Sequence, residues 1–208
     1  PDQFGTRTKM EYRVIRNHHG ALELAFHQRG SYKDKIALPH GCKLASPLMN
    51  EAALQALADF GVKRESSDET VSPPAWSQSR GGDIQRIIVR ESKTTGAVAA
   101  IAYDATGRRC GGQKEADHLE EKIAGRAIRY PLTCFFQNHI PLFEQAVFEI
   151  ARAAADSKKV VELYCGVGAI GLAVASTAGE VIGVESHPKS VEAARRNAHL
   201  NGITNFSV

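Results

Sequence analysis

The sequence predicts an α/β protein in two parts, a small α+β unit followed by the opening of a parallel, Rossmann-like sheet. Three observations carry that prediction. Met10, Tyr12 and Val14 alternate with polar residues, the period of a strand with one buried face. The apolar run at 160–164 passes through Gly166, Gly168 and Gly171 into the alanine-rich stretch 172–178, which reads as a buried strand, a tight turn and a helix start. A second apolar strand, 181–184, ends on Glu185, roughly 20 residues beyond the first glycine, where nucleotide-binding α/β folds place an acid to accept ribose hydroxyls.

The composition is that of an ordinary folded chain. With 208 residues, 43% hydrophobic and 24% charged, it has ample material for a core and for one large or two small domains. A formal net charge of +3 permits a polyanionic partner without demanding one. Cys42, Cys110, Cys134 and Cys165 lie far apart with no C-x-x-C pair, which argues against a disulfide framework and against a zinc site built from cysteines. No apolar run reaches the ~18 residues of a membrane span, and no signal-peptide pattern opens the chain. The expected compartment is a reducing cytoplasm, with no membrane partner.

In chain order, the strand holding Met10–Val14 turns at Asn17-His18-His19-Gly20 and returns through Leu22, Leu24 and Phe26, a β-hairpin. Arg7, Lys9, Arg13, Arg16 and Arg29 make its edge basic, suited either to tracking phosphates or to keeping a sheet edge from aggregating. Ser46 and Pro47 supply a cap and first turn for a helix with Leu48, Met49, Ala52, Ala53, Ala56, Leu57 and Phe60 on its apolar face, which Gly61 is expected to stop. Residues 63–82 read as a polar surface loop in which Trp76 either pins the loop or meets a base.

Strands at 84–89 and 97–103 follow, joined by a turn at Lys93-Thr94-Thr95-Gly96, and Cys110-Gly111-Gly112 reads as plain loop. A helical piece is expected at 118–123 and the domain boundary at 128/129, giving domains 1–128 and 129–208. Pro141 starts a helix carrying Leu142, Phe143, Ala146, Val147, Ile150, Ala151 and Ala154 toward the sheet. Ser186 and Pro188 open another helix with Val191 and Ala194 inward, closed by Asn201-Gly202, and a third strand begins at 205.

Gly166-x-Gly168-x-x-Gly171 by itself fits NAD-, FAD- and S-adenosylmethionine-binding proteins alike. Glu162, four positions before the first glycine, suits an acid near a methionine ammonium, or a solvated strand end. Phe135-Phe136-Gln137, Leu163-Tyr164-Cys165-Gly166-Val167-Gly168, Gly183-Val184-Glu185, the tail 193–202 and the opening Arg7-Thr8-Lys9-Met10-Glu11-Tyr12 together resemble the RNA uracil-5-methyltransferase family. That resemblance implies a small α+β RNA-contacting domain and then the first half of an S-adenosylmethionine-dependent methyltransferase sheet. It implies S-adenosyl-L-methionine as cofactor at Gln137, Tyr164, Gly166 and Glu185, RNA (tRNA or rRNA, not DNA) as partner, and Arg7 and Lys9 on the RNA side.

The chain departs from the family pattern at Ala169, where a polar residue is usual, and at Asn138 and His139, where the asparagine comes one position early. The segment between Tyr103 and His118 looks shorter than the family's. Cys42 resembles the last ligand of an iron–sulfur cluster in some members, but one cysteine holds no cluster, and it reads as a small buried residue. The cysteine nucleophile and base that the resemblance implies for attack on carbon 6 and deprotonation at carbon 5 fall beyond the third strand in the family. The expectation is therefore a chain without its catalytic half, Cys165 belonging to the cofactor loop. The competing readings are an NAD- or FAD-binding oxidoreductase and a non-catalytic RNA-binding module.

Overall fold

In a computed structural model, residues 4–65, 84–112 and 118–208 are described. Trp76 and most of the expected surface loop lie outside them. The chain divides into two compact units, Pro1–Glu91 with Val98–Glu115, and Ser92–Ala97 with Ala116–Val208.

The first unit is one antiparallel sheet under a helix. Its strands are β1 (Lys9–Arg16), β2 (Leu22–His27), β3 (Lys35–Ala37), β4 (Ile84–Glu91), β5 (Val98–Asp104) and β6 (Arg109–Gly112), in the order β3-β2-β1-β4-β5-β6. The hairpin expected at the start forms, with Val14 opposite Leu24 and the Asn17 side chain accepting from the His19 and Ala21 N–H groups in the turn. Met10, Tyr12, Val14, Ile87, Val89, Ala100 and Ala102 turn one face inward against Met49, Ala53 and Leu57 of α1 (Pro47–Glu65).

Ser46 Oγ accepts from the Met49 N–H, the expected cap. Gly61 does not stop α1, which runs on to Glu65; a single interior glycine costs only about 1 kcal/mol. Tyr12 donates to Asn50 Oδ1 at 2.8 Å and stacks on Phe26 at 5.3 Å. Cys42 is half-buried before α1, its N–H and C=O both bonded to the Asn50 amide. Cys110-Gly111-Gly112 is not plain loop but part of β6, pairing with Ile101–Tyr103. Gly112 adopts φ +115° with the Ala100 carbonyl so close that a Cβ would sit 2.3 Å from it.

The second unit has a hairpin, β7 (His118–Ile123) and β8 (Arg126–Pro131), and a parallel sheet β11-β10-β9 made of β9 (Lys159–Leu163), β10 (Glu180–Val184) and β11 (Phe206–Ser207). Its helices are α2 (Ile140–Ala153), α3 (Ala169–Val174) and α4 (Pro188–Leu200). Residues 118–123, expected to be helical, are strand β7. Leu119, Glu121 and Ile123 are all buried on one face, and the Glu121 carboxylate accepts from the Lys93 and Thr94 N–H groups and from Thr94 Oγ1 at 2.7–3.0 Å. That network and the packing of β8 on α4 place the hairpin in the second compact unit.

Helix α2 lies against α3 and β7. Its inward line is Ile140, Phe143, Val147 and Ala151, while Ala146, Leu142 and Ile150, expected inward, are exposed, the last two at 62% and 42%. His139 caps it, Nδ1 accepting from the Leu142 N–H at 3.2 Å.

Asn197, fully buried on α4, makes three hydrogen bonds. It accepts from the Arg129 N–H and donates to the Arg129 and Val167 carbonyls, at 2.9–3.0 Å. Asn201 repeats the motif a turn later with both backbone groups of Ala127. Replacing Asn197 with alanine leaves those groups unpaired; the expected loss is about 2–4 kcal/mol of unfolding free energy, read as a lower urea midpoint by circular dichroism.

Candidate functional site

Residues 164–168 form the connection between β9 and α3. Tyr164 leaves the strand with φ +60°, a left-handed conformation that costs a non-glycine residue roughly 1–3 kcal/mol, and its ring is 88% exposed. Gly166 follows with φ +57° and nothing within 4 Å of where a Cβ would stand, so this part of the loop is open to a ligand. Gly168 at φ +85° begins α3. Gly171 has a different reason to be glycine: a Cβ there would meet Phe206 at 2.5 Å and Glu162 Oε2 at 2.7 Å. It serves the packing of helix on sheet, not the approach of a ligand.

Glu185 stands just past the end of β10. Its Oε2 accepts from the Gly166 N–H at 3.0 Å, and its Oε1 accepts from the Ser186 and His187 N–H groups at 2.8 Å each. The His187 N–H first, then those of Gly166 and Ser186, hold its carboxyl below the usual range, so it is ionised at neutral pH. A carboxylate has about four lone-pair sites, and with three filled, Glu185 can take one further donor directly, or more by releasing Gly166. Ser186, expected to cap α4, does not. The cap position is His187, whose Nδ1 lies 3.0 Å from Ser190 Oγ, and Glu185 itself takes the amides before the helix.

Glu162 behaves in the opposite way. Its Oε2 is buried with no hydrogen-bond partner among the described residues, and burial pushes its carboxyl up to about 7, with the Gly171 N–H offsetting only part. Cys165, buried between the two acids with Sγ against Gly183, is pushed up to about 11 by burial and then by Glu162 and Glu185. It is a thiol at neutral pH, not a poised nucleophile.

Among the residues singled out from the sequence, Gly166 and Glu185 are joined directly, and Tyr164 enters the same loop. Gln137 is exposed in the segment between β8 and α2, beside exposed Phe135 and a buried Phe136 that stacks on Tyr130 at 4.1 Å. Asn138, read in sequence only as a displaced family position, has its Oδ1 buried without a partner among the described residues, a second orphaned acceptor in this unit.

In the first unit, Arg7 is exposed ahead of β1, and its N–H bonds the Leu44 carbonyl. Lys9 is half-buried, 3.9 Å from Glu11, and its ammonium is pushed down by burial and then by Arg90. No His/Cys/Asp/Glu group suited to a metal occurs among the described residues, and none of their helices is long and apolar enough to cross a membrane.

Residues 143–207 match the TRM5/TYW2 methyltransferase domain family. Over 99% of its length the chain is 30% identical to an uncharacterized RNA methyltransferase of Thermosynechococcus vestitus, covering 51% of that protein. Over 43% of its length it is 41% identical to an uncharacterized RNA methyltransferase of Gloeobacter violaceus, covering 20% of it. The chain thus spans about half the length of the first of these relatives and less of the second. The whole chain superposes on 56% of the Pyrococcus abyssi tRNA (uracil-54, C5)-methyltransferase, solved in complex with S-adenosyl-L-homocysteine, with a TM-score of 0.73 at 17% identity. That likeness defines the fold, a mixed α/β architecture with a Rossmann-like sheet, as the sequence predicts.

Because Glu162 has a folded pKa of about 7 against an ordinary 4.5, the folded state holds a proton that the unfolded state releases between those values. Its contribution to stability therefore falls as pH rises from 4.5 toward 7 and is flat above. Glu162→Gln should remove this slope and leave the protein more stable at pH 8 by on the order of 2 kcal/mol, with the gap closing toward pH 5, in urea titrations across that range.

Proposed function

We propose that this chain carries the cofactor site of an S-adenosylmethionine-dependent RNA methyltransferase acting on carbon 5 of uridine. The observation that carries the cofactor assignment is the Glu185 carboxylate, ionised and bonded across the open loop to the Gly166 N–H. In this reading Glu185 accepts from the ribose hydroxyls, and the Tyr164 ring gives the adenosine an apolar surface. Gly166 admits the ligand to van der Waals distance, and Gln137 bonds its polar end. Glu162, half-buried in β9 with its Oε2 buried and orphaned, supplies negative potential for a cationic ammonium and sulfonium. When bound, the cofactor supplies the methyl group.

An RNA substrate is supported by the similarity to RNA methyltransferases over the whole chain. Uridine carbon 5 as the target is supported by the ordered combination of Phe135-Phe136-Gln137, 163–168 and Gly183-Val184-Glu185. A second reading, methyl transfer to another ribonucleotide, is favoured by the TRM5/TYW2 match over residues 143–207. The two separate on the product: nucleoside analysis of RNA incubated with labelled S-adenosylmethionine yields 5-methyluridine under the first and a different methylated nucleoside under the second.

Calorimetry should detect S-adenosylhomocysteine binding and no comparable NAD binding; tight NAD binding alone would sink the proposal. Glu185→Ala should weaken the complex roughly 10- to 100-fold, as expected for loss of hydrogen bonds to a charged acceptor. Since the ligand ammonium favours ionised Glu162, affinity should rise roughly tenfold between pH 6 and pH 8, and Glu162→Gln should flatten that rise. Tyr164→Gly relieves the left-handed strain while adding chain entropy to the unfolded state, so it should leave stability within about 1 kcal/mol of the parent while weakening the ligand.

A further inference from the structure

The first unit's sheet carries a transverse row of side chains that neither the cofactor loop nor Arg7 and Lys9 accounts for. The backbone register sets Ala25 opposite Arg13, Arg13 opposite Arg86, Arg86 opposite Tyr103 and Tyr103 opposite Arg109. Directly opposed residues share a face of a sheet, so β2, β1, β4, β5 and β6 contribute one line reading Ala-Arg-Arg-Tyr-Arg. The alternate positions Tyr12, Ile87 and Ala102 belong to the core under α1, which puts this row on the other face.

Arg13 facing Arg86 is a like-charge pair, which weakens a sheet instead of supporting it. No ion pair of Arg13 occurs among the described residues, and Arg13 is only half-buried. Arg86 is preoriented: its guanidinium lies over the Tyr103 ring, 4.5 Å from the centroid, and donates to Glu11 Oε1 at 3.2 Å. A cleft of about 330 Å³ opens beside the pair, lined by Arg13, Gln85, Arg86, Asp104, Ala105 and Gly107. The one acid in that cleft is committed to its own turn, since Asp104 Oδ1 accepts from the Thr106 N–H, Thr106 Oγ1 and the Arg108 N–H at 2.7–3.0 Å.

We propose that this row is a track for single-stranded RNA, Arg13 and Arg109 holding phosphates on either side of a base stacked on the Arg86–Tyr103 platform. Arg13, Arg86, Tyr103 and Arg109 stand on neighbouring strands spaced ~4.8 Å apart, so the row extends about 14 Å. A flat guanidinium–phenol pair offers a π surface that any base can use and that an acidic peptide cannot exploit. Bases inside a duplex cannot reach it, so the strand must be single. The proposal rests on the RNA substrate argued above and adds the surface, outside the cofactor unit, that engages it.

Fluorescence anisotropy of the full chain with a uridine-containing single-stranded oligoribonucleotide, against the same sequence as a duplex, tests this. The expected result is preference for the single strand. Arg13→Gln and Arg109→Gln should each lower the log–log salt slope by about 0.7, and Arg13→Lys should keep it. Tyr103→Leu should weaken binding roughly 5- to 100-fold and Tyr103→Phe should restore it, with S-adenosylhomocysteine affinity unchanged in every variant. RNA binding that none of these substitutions weakens, or a preference for duplex, overturns the track and leaves the methyltransferase reading standing. S-adenosylhomocysteine binding with no RNA binding by the parent chain overturns the track and leaves the cofactor site. Binding of neither overturns both.

Discussion

The conformation of the glycine loop depends on hydrogen bonds it receives from residues that follow it in the chain. Asn197 on α4 holds the Val167 carbonyl, and Glu185 at the head of the same segment holds the Gly166 N–H. Gly166 and Gly168 both adopt left-handed backbone, and glycines there give the loop freedom but no preference. The preference comes from the two clamps, one a fully buried amide and the other an ionised carboxylate. Asn197 also bonds both backbone groups of Arg129 on β8, so the hairpin, the helix and the loop are fixed by one side chain. A buried polar group with every bond made is a strong constraint, because any displacement leaves several groups unpaired at once.

Much of this fold is legible in the sequence because the alternating and apolar segments are long. The hairpin at the start, strands β4 and β5, and the strand–loop–helix–strand order of 159–184 follow from periodicity and turn residues alone. The misreadings have local causes. Residues 118–123 contain Glu-Glu-Lys, good helix formers, and the antiparallel pairing with β8 together with the buried contact of Glu121 with Lys93 and Thr94 makes a strand of them. Cys110-Gly111-Gly112 carries loop composition yet pairs at a sheet edge, where a left-handed Gly112 fits against the Ala100 carbonyl. The apolar stripe of α2 is wider in the sequence than in the structure, because the pattern cannot say which of its residues will be covered, and Leu142, Ala146 and Ile150 stay exposed. Asn197 carries no sequence signal for its role: asparagine is mostly exposed in proteins, and nothing local marks it for burial, while Asn201 is legible as the close of α4 but not as a partner of Ala127.

The parallel sheet shows where a sequence pattern and its packing part company. A near-continuous apolar strand reads as one buried on both faces, and residues 160–163 have that character. Among the described residues β9 pairs only with β10, and Val161, Leu163 and Val184 are exposed at 55%, 65% and 48%. The buried side of the sheet meets Phe206, Gly171 and Cys165, and there the packing is tight enough that only glycine fits at 171 and 183.

The two acids of the candidate site differ because of where the backbone leaves free donors. Glu162 lies inside β9, where the amides around it are taken by the ladder to β10, so its carboxylate is buried with one oxygen unserved. Glu185 lies one residue past β10, before α4, where the chain presents amides that no helical turn uses, and it collects those of Ser186 and His187 as well as Gly166. One acid is therefore costly to ionise and the other is ionised already. A ligand that brings hydroxyl donors to Glu185 and positive charge near Glu162 satisfies both conditions at once. A dinucleotide also brings ribose hydroxyls to Glu185, but its pyrophosphate adds negative charge to the same loop instead of positive charge near Glu162. The electrostatics of the loop thus separate cofactor classes that the glycine spacing alone leaves together.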